Sequence, residues 1–206
     1  MRKPKKDDPD TRNQILTAAG KVFRAKGYAA ARMQEIADEA KINKALLHYY
    51  FESKEKLFGQ IFLETMQRFF GTAAGLLNDP ATSWKEKIYA IADRYTDFLK
   101  ANPEIPLFVM NEINRNGETF LQQLPIPEML DRSRFMQQLK EAQQQKMIAP
   151  VAPFQVVITV ISNLIFPFIA KPMIQMIGGM DDKNFSRFLD ERKTLIPDMV
   201  IGFLEK

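Results

Sequence analysis

One short segment, residues 43–54, holds side chains of the types that bind the base edges and phosphates of duplex DNA. Lysine donates to guanine O6 and N7, alanine and leucine contact the thymine methyl group, and tyrosine and lysine donate to phosphate oxygens. The candidate DNA contacts in this segment are Asn43, Lys44, Ala45, Leu46, His48, Tyr49, Tyr50 and Lys54. A leucine beside two tyrosines on an outer helix face is unusual unless a partner covers it, so the pattern favours nucleic-acid binding.

Residue types that usually carry catalysis are scarce in this sequence. The 206 residues include one histidine, His48, and no cysteine. A histidine-based triad, a thiol nucleophile or a His/Cys metal site therefore cannot form in the C-terminal part. Carboxylates such as Asp97 and Glu112 could do acid–base work, but charge on a helix surface explains them more simply. We expect no enzyme, no cofactor and no metal site.

The positive charge is concentrated near the start of the chain. Residues 1–56 carry 13 Lys and Arg against 8 Asp and Glu, whereas residues 57–206 carry 16 against 17. Such an asymmetry is expected of a region that meets phosphate. A solvated basic terminus would give the same balance, so charge alone leaves the two interpretations open.

Short helices must position the candidate contacts. Apolar residues at helical spacing predict a first helix over residues 10–26. Asp10 is a suitable N-cap for this helix, and Gly27 stands where a left-handed C-terminal cap is expected.

A second helix is predicted over residues 32–40 and a third over residues 44–49, with a break at residues 41–43 between them. Leu47 and Phe51 return to the inner face, which turns the candidate contacts outward. Two short helices joined by a tight turn predict a helix-turn-helix, whose second helix enters the major groove.

The segment from Thr11 to about Phe58 resembles the N-terminal domain of the TetR/AcrR family of transcriptional regulators. The matching elements are Thr11-Arg12, Ile15-Leu16, Ala18-Ala19, Phe23, Gly27-Tyr28, Met33, Ile36-Ala37, Leu47, Tyr49-Tyr50-Phe51, Lys54 and Leu57-Phe58. The resemblance implies that Tyr49, Tyr50 and Lys54 contact phosphates. Arg32 and Gln34, on the preceding helix, join the candidate DNA contacts, and Gln34 could bind adenine.

Three positions depart from the family pattern. Lys41 stands where the family usually has glycine in the turn. A positive φ there would cost lysine about 1 kcal/mol, so the turn is either strained or built differently. Ala31 replaces the threonine that usually caps the second helix. Leu46 replaces a small or hydroxylated residue on the reading face, which bears on sequence preference.

The rest of the chain shows no alternation of period two, so an all-α protein with about nine helices is predicted. Six helices follow the first three: one from Ser53 onward, then residues 83–100, 106–115, 127–147, 154–169 and 184–204. We expect a helix-turn-helix domain at residues 1–55, with a flexible basic tail at residues 1–9. A ligand-sensing and dimerisation domain is expected at residues 56–206.

The second domain is rich in methionine and phenylalanine, 11 and 16 residues in the whole chain. Methionine adapts its shape and makes favourable contacts with aromatic rings, so such a composition suits a pocket for varied apolar ligands. Each residue could equally be ordinary core; the pocket is what the family resemblance implies. The candidate pocket residues are Met66, Phe69, Phe70, Tyr95, Phe98, Phe108, Met110, Asn111, Phe135, Met136 and Phe166.

Two apolar helices near the chain end look like partner faces. In the TetR/AcrR family the last two long helices of each subunit form a four-helix dimer interface, and this resemblance implies a homodimer. The candidate interface residues are Phe154, Ile158, Ile161, Phe188, Leu195, Ile196, Met199 and Phe203.

A membrane location is not expected. The longest apolar run, Val156 to Ile169, is interrupted by polar residues and is too short to span a bilayer, so a buried helix explains it better. Residues 1–9 are charged and lack the apolar stretch of a secretory signal. We expect a cytoplasmic protein.

The leading functional hypothesis is a repressor that binds a palindromic duplex operator and is released by a small apolar or amphipathic ligand. The second is a DNA-binding regulator or architectural factor that has no small ligand. The third, from another class, is a carrier of hydrophobic ligands whose basic head is incidental.

Overall fold

In a computed structural model, which describes residues 9–122 and 126–206, the chain is all-α, and the predicted fold class is confirmed. These residues form eleven helices, where about nine were predicted. The helices are α1 Pro9–Ala30, α2 Met33–Glu39, α3 Lys44–Tyr50, α4 Lys54–Asn78, α5 Trp84–Ala101, α6 Ile105–Leu121, α7 Ile126–Asp131, α8 Arg134–Gln144, α9 Pro153–Ile169, α10 Lys171–Gly178 and α11 Asp182–Leu204. The basic tail was predicted at residues 1–9; all of it but Pro9 lies outside the described residues.

The two additional helices have local causes. The helix predicted over residues 127–147 is divided because the Ser133 hydroxyl accepts from the backbone N–H of Met136 and so starts α8 afresh. Helix α10 was missed because Pro167 and Pro172 indicated helix ends. Pro167 instead lies inside α9, and Pro172 lies in the first turn of α10, where its missing N–H costs no hydrogen bond.

The contacts divide the chain into two compact units inside α4, the first ending at Met66 and the second running from Gln67 to Lys206. Sequence reasoning placed the division at residue 55, near the first turn of α4. The functional division into residues 1–55 and 56–206 stays a prediction.

The first unit has a core of apolar side chains from its four helical segments. Ile36 and Ala37 of α2 and Leu47 of α3 are fully buried. Ala37 is small enough to let α3 pack closely across α2, and α2 also packs on α1. The core therefore fixes the angle between α2 and α3.

Gly27 interrupts α1 with a positive φ, as predicted for a C-terminal cap. Its conformation is not the left-handed helical one that was expected. Its φ of 74° and ψ of 163° lie in a region open essentially to glycine alone, and helical geometry resumes as far as Ala30. The chain thus kinks here, and a short connector, residues 28–31, leads to α2.

Lys41 has a φ of 53°, so the turn keeps the positive φ for which the family usually has glycine, and it is not built differently. Replacing Lys41 with glycine should raise the free energy of unfolding by about 0.5–1 kcal/mol, because glycine adopts this conformation without the steric penalty of a Cβ. Denaturant unfolding of the full chain measures the change. Ala45→Gly, inside α3, should lower stability by about 1 kcal/mol in the same assay. A loss of stability in Lys41→Gly would contradict the strain at this turn.

The second unit is built around α5, α9 and α11, which pack on one another. Its main core contains Ile88 and Ala92 of α5, Val160 of α9 and Val200 of α11, among others. Within the described residues no single helix is long and apolar enough to cross a membrane; α9 and α10, bent by 78° at their junction, pass that test only as a pair.

A buried lysine ties the loop between α4 and α5. Lys87 is completely buried, and its ammonium donates to the carbonyl oxygens of Asp79 at 2.7 Å and Thr82 at 2.6 Å and to the Thr82 hydroxyl at 2.9 Å. Desolvation lowers the pKa of Lys87. These bonds hold the chain at the start of α5.

A second lysine joins α11 to α5. Lys193 donates to Asp97 at 2.6 Å and forms an ion pair with Asp93 at 2.8 Å. Desolvation by itself lowers the pKa of Lys193, but the two carboxylates outweigh it and leave the pKa raised. The ammonium is therefore held charged between the two helices.

Candidate functional site

Helix α3 presents a polar outer face because its apolar residues are anchored inward. Leu47 is fully buried and Phe51, which ends the helix, is 5% exposed. Arg12 of α1 lies over the Phe51 ring, 5.5 Å from its centroid, and holds that end of the helix. The predicted contacts Lys44, Ala45, His48 and Tyr49 are consequently exposed, whereas Leu46 and Tyr50 are half-buried.

Asn43 is the N-cap of α3, as its sequence position suggested. Its side-chain oxygen accepts from the backbone N–H of Leu46 at 2.7 Å. The oxygen is occupied by this structural bond, so the part of Asn43 left for DNA is its amide N–H group. Tyr49 and Tyr50 lie edge to face, with ring centroids 5.5 Å apart.

The single histidine has a defined hydrogen-bond partner. His48 Nδ1 lies 3.2 Å from the backbone oxygen of Glu52. A carbonyl oxygen can only accept, so Nδ1 carries the proton, and Nε2 of the neutral ring is an acceptor. In a major groove such an atom suits the amino groups of adenine or cytosine.

Helix α2 begins one residue later than expected, with Arg32 rather than Ala31 as its N-cap. The Arg32 backbone N–H donates to the Glu35 carboxylate at 3.1 Å, and Lys26 donates to the same carboxylate at 2.7 Å. The bond from Lys26, followed by that from Arg32, lowers the pKa of Glu35. Gln34 is exposed and donates to Asp38 at 2.8 Å, so DNA must compete for its amide.

Lys54, a predicted phosphate contact, is hydrogen-bonded within the protein. Its ammonium donates to the backbone oxygens of Tyr28, Ala31 and Ala29 at 2.9, 3.1 and 3.3 Å and lies 4.6 Å from the centroid of the Tyr28 ring. An ammonium has three donors, and all three are used within the protein. A phosphate contact would have to replace one of these bonds.

The predicted pocket residues differ in burial and in their neighbours. Phe69 stacks on Phe98 at 4.3 Å and lies 5.7 Å from Tyr95, which makes an aromatic cluster in the second unit. Burial raises the pKa of Tyr95, so its hydroxyl stays neutral. Five other predicted residues are buried: Met66, Phe70, Phe108, Phe135 and Met136.

Three predicted pocket residues are corrected by their exposure. Met110, Asn111 and Phe166 face solvent rather than a cavity, since they lie on the outer sides of α6 and α9. Met66 belongs to the first unit, whereas the aromatic cluster belongs to the second. Among the predicted pocket residues, Phe69, Tyr95 and Phe98 thus form one aromatic cluster, and the pocket as a whole stays a prediction.

Helices α9 and α11 together carry an exposed apolar surface around a groove. The groove has a volume of about 160 Å³ and is lined by Val151, Val156, Thr159, Asn163, Ile196, Met199, Val200, Phe203 and Leu204. We call it the α9–α11 groove. Of the predicted interface residues, five are exposed: Phe154, Ile158, Leu195, Met199 and Phe203. Ile161 is half-buried.

Two predicted interface residues serve the protein's own core. Ile196 is 3% exposed and packs in the main core, and it also lines the floor of the α9–α11 groove, so its role at an interface stays a prediction. Phe188 is half-buried against a smaller cluster and lies 5.9 Å from Phe185. Sequence reasoning in turn missed Met176 and Ile177, which are more than three-quarters exposed on α10. The only sequence signal for an exposed apolar surface here was the apolar run around Met176 and Ile177.

No group of three or more His, Asp or Glu side chains suited to a metal occurs in residues 9–122 and 126–206. The features that the described residues offer are thus the exposed face of α3, the α9–α11 groove and the aromatic cluster.

Comparison with known proteins finds similarity to bacterial transcriptional regulators. The family model described as bacterial regulatory proteins, tetR family, matches residues 15–61. The chain is 39% identical to the transcriptional repressor NicS of Pseudomonas putida, over 41% of the chain and 42% of that relative. The alignment thus spans less than half of the relative's length.

Two further proteins match over almost the whole chain. The nicotine-responsive transcriptional repressor HdnoR of Paenarthrobacter nicotinovorans is 26% identical over 96% of the chain and 95% of its own length. A solved structure from Mesorhizobium loti, described as a TetR-family transcriptional regulator, covers 96% of the chain and 98% of its own, with 18% identity and a TM-score of 0.64. This likeness is one of fold.

Proposed function

We propose that the chain, whose residues 15–61 match the model of the tetR family of bacterial regulatory proteins, is a homodimeric, sequence-specific DNA-binding repressor that a small apolar or amphipathic ligand releases. One observation carries the DNA-binding part. Leu47 anchors α3 in the core while Lys44, Ala45, His48 and Tyr49 stay exposed on its outer face. These are side chains for base edges and phosphates, on a helix of the right width for the major groove.

Within this proposal the exposed residues have distinct roles. Lys44 donates to guanine, Ala45 and Leu46 contact thymine methyl groups, and His48 accepts from an amino group through Nε2. Tyr49 and Tyr50 contact phosphates and set the register, which carries little sequence information.

The experiment that tests the function is selection of bound duplexes from a random pool. We expect an inverted repeat whose half-site centres lie about 10–10.5 base pairs apart or at a multiple of that spacing, because two α3 helices related by a two-fold axis read one face of the duplex. Selected sequences without inverted symmetry would contradict the dimeric reader. Failure to enrich any sequence would favour the hydrophobic-ligand carrier.

TetR-family regulators bind DNA and act as dimers. We propose that this chain pairs through the α9–α11 groove and the exposed residues of the same two helices, among them Phe154 and Ile158 of α9 and Leu195 of α11. In a two-fold interface the same patch occurs on both copies. The groove gives an exposed side chain of one copy, such as Phe203, an apolar site on the other.

We propose that the ligand binds at the aromatic cluster of Phe69, Tyr95 and Phe98. Stacked rings suit a flat or extended apolar group, and the neutral Tyr95 hydroxyl can pair with one polar group of an amphipathic compound. HdnoR, which aligns with the chain over nearly its whole length, is described as nicotine-responsive, and this supports a small-molecule signal.

The ligand prediction is tested by titrating aromatic amines and medium-chain fatty acids against the protein–operator complex. We expect at least one compound to weaken operator binding by about 5–150-fold, the usual range for two coupled sites. Phe98→Ala should change the affinity for that compound by about tenfold and leave operator affinity in its absence within about twofold. If the compounds that bind leave operator affinity unchanged, the regulator without a small ligand becomes the better account.

A further inference from the structure

Lys54, the first residue of α4, is bound to the protein's own backbone rather than free for a partner. Its three carbonyl acceptors all belong to the connector between the kink at Gly27 and the start of α2. Ala31, the last residue of the connector, is almost fully buried, and its backbone N–H donates to Gly27 at 3.3 Å. The ammonium therefore fastens one end of α4 to the segment from which the helix-turn-helix emerges.

A second contact lies one helical turn further along α4, on the same side. The Phe58 ring lies edge to face with Tyr28 at 4.9 Å and with Phe23 at 5.0 Å. Residues four positions apart share a helix face. Lys54 and Phe58 thus both contact Tyr28. Lys54 donates to its backbone oxygen and lies over its ring, and Phe58 contacts the ring edge to face.

We propose that Lys54 is a positioning residue that clamps α4 to the connector and so sets the orientation of α2 and α3, instead of contacting a phosphate. The clamp suits its acceptors, since carbonyls at the end of a helix carry partial negative charge that attracts a cation. The clamp lies at the start of α4, which continues past Met66 as one helix. The proposal rests on the proposed function for its DNA measurement.

The test compares Lys54→Met and Lys54→Arg, with Lys56→Met as the matched control. Lys56 is an exposed lysine two residues along the same helix, paired with Glu52. Operator affinity is measured over a series of salt concentrations, at a temperature where circular dichroism shows each variant fully folded. Amide hydrogen exchange of the DNA-free protein is measured for the connector and the start of α2.

We expect Lys54→Met to speed exchange at the connector and to lower operator affinity, each by about tenfold, while the slope of log affinity against log salt stays that of the parent. Lys54→Arg should not restore either, because a planar guanidinium cannot direct three donors from one atom to three carbonyls. Lys56→Met should leave exchange unchanged. A role confined to stability would not lower affinity in the folded variant.

The proposal is overturned if Lys54→Met leaves exchange unchanged and flattens the salt slope by about one unit, since that is the mark of a lost phosphate contact. Full rescue of affinity by Lys54→Arg would overturn it as well. Hydrogen exchange needs no DNA, so failure of the clamp is distinguishable from failure of the proposed function.

Discussion

A Met199→Glu variant should sediment as a monomer and bind the operator at least about a hundredfold more weakly. Met199 is 61% exposed in the single chain and lines the α9–α11 groove, so a carboxylate there is solvated and the subunit still folds. In the proposed dimer the same carboxylate is buried against the partner, at a cost of several kcal/mol. A monomer reaches one half-site, and losing simultaneous binding of both typically forfeits a factor of about 10²–10⁴.

Gln137→Glu is the matched control, because it makes the same change of charge at an exposed position on α8. It should remain a dimer with unchanged operator affinity. Sedimentation velocity and operator titration are run on both variants, with circular dichroism to establish folding. A Met199→Glu protein that stays dimeric at full strength would move the interface away from α9 and α11.

The largest loss of stability is expected from Lys87→Met, which should lower the free energy of unfolding by about 3 kcal/mol. The substitution keeps the apolar stem but removes a fully buried ammonium that donates to two backbone oxygens and to the Thr82 hydroxyl, on the half-buried residues Asp79 and Thr82. Unsatisfied buried groups cost about 1–3 kcal/mol each, and Gln138, which also donates to Thr82, offsets part of this.

Lys85→Met is the control for this prediction. Lys85 lies two residues earlier in the chain, and its ion pair with Glu205 is exposed, so its loss should change stability by less than about 1 kcal/mol. Urea denaturation of the full chain measures both variants. If Lys87→Met unfolds at the same midpoint as Lys85→Met, the buried ammonium does not hold the loop after α4.

The first unit could largely be predicted from the sequence because its signals are local. The apolar spacing around Leu47 predicts which face of α3 is buried, and Asn43 stands at the position of an N-cap. The sequence left two alternatives for the turn at Lys41, strained or built differently, and the positive φ decides for the first. The binding of Lys54 could not be predicted, because its carbonyl partners, in the connector at residues 28–31, precede it by more than twenty residues and meet it only in the folded unit.

The second unit was less predictable because its helices are apolar on several sides. Apolar composition together with the family resemblance predicts a partner face on α9 and α11, but neither says which apolar residues turn to the core. Ile196 and Met199 are of similar hydrophobicity and only three positions apart, yet one is buried and the other exposed. Only the packing of α11 on α5 and α9 decides between them.

We propose that α3 of each subunit lies in the major groove of one operator half-site. The chain has no cysteine, so Ala45→Cys places a single thiol on the exposed face of α3. The measurement is disulfide crosslinking of this variant to operator duplexes that carry one thiol-tethered base at successive positions.

We expect crosslinks from major-groove tethers in each of two half-sites, about 10–10.5 base pairs apart or at a multiple of that spacing, and none from minor-groove tethers. Lys140→Cys, exposed on α8 of the second unit, should give none. Equal crosslinking by Ala45→Cys and Lys140→Cys, or crosslinks from the minor groove alone, would contradict the account.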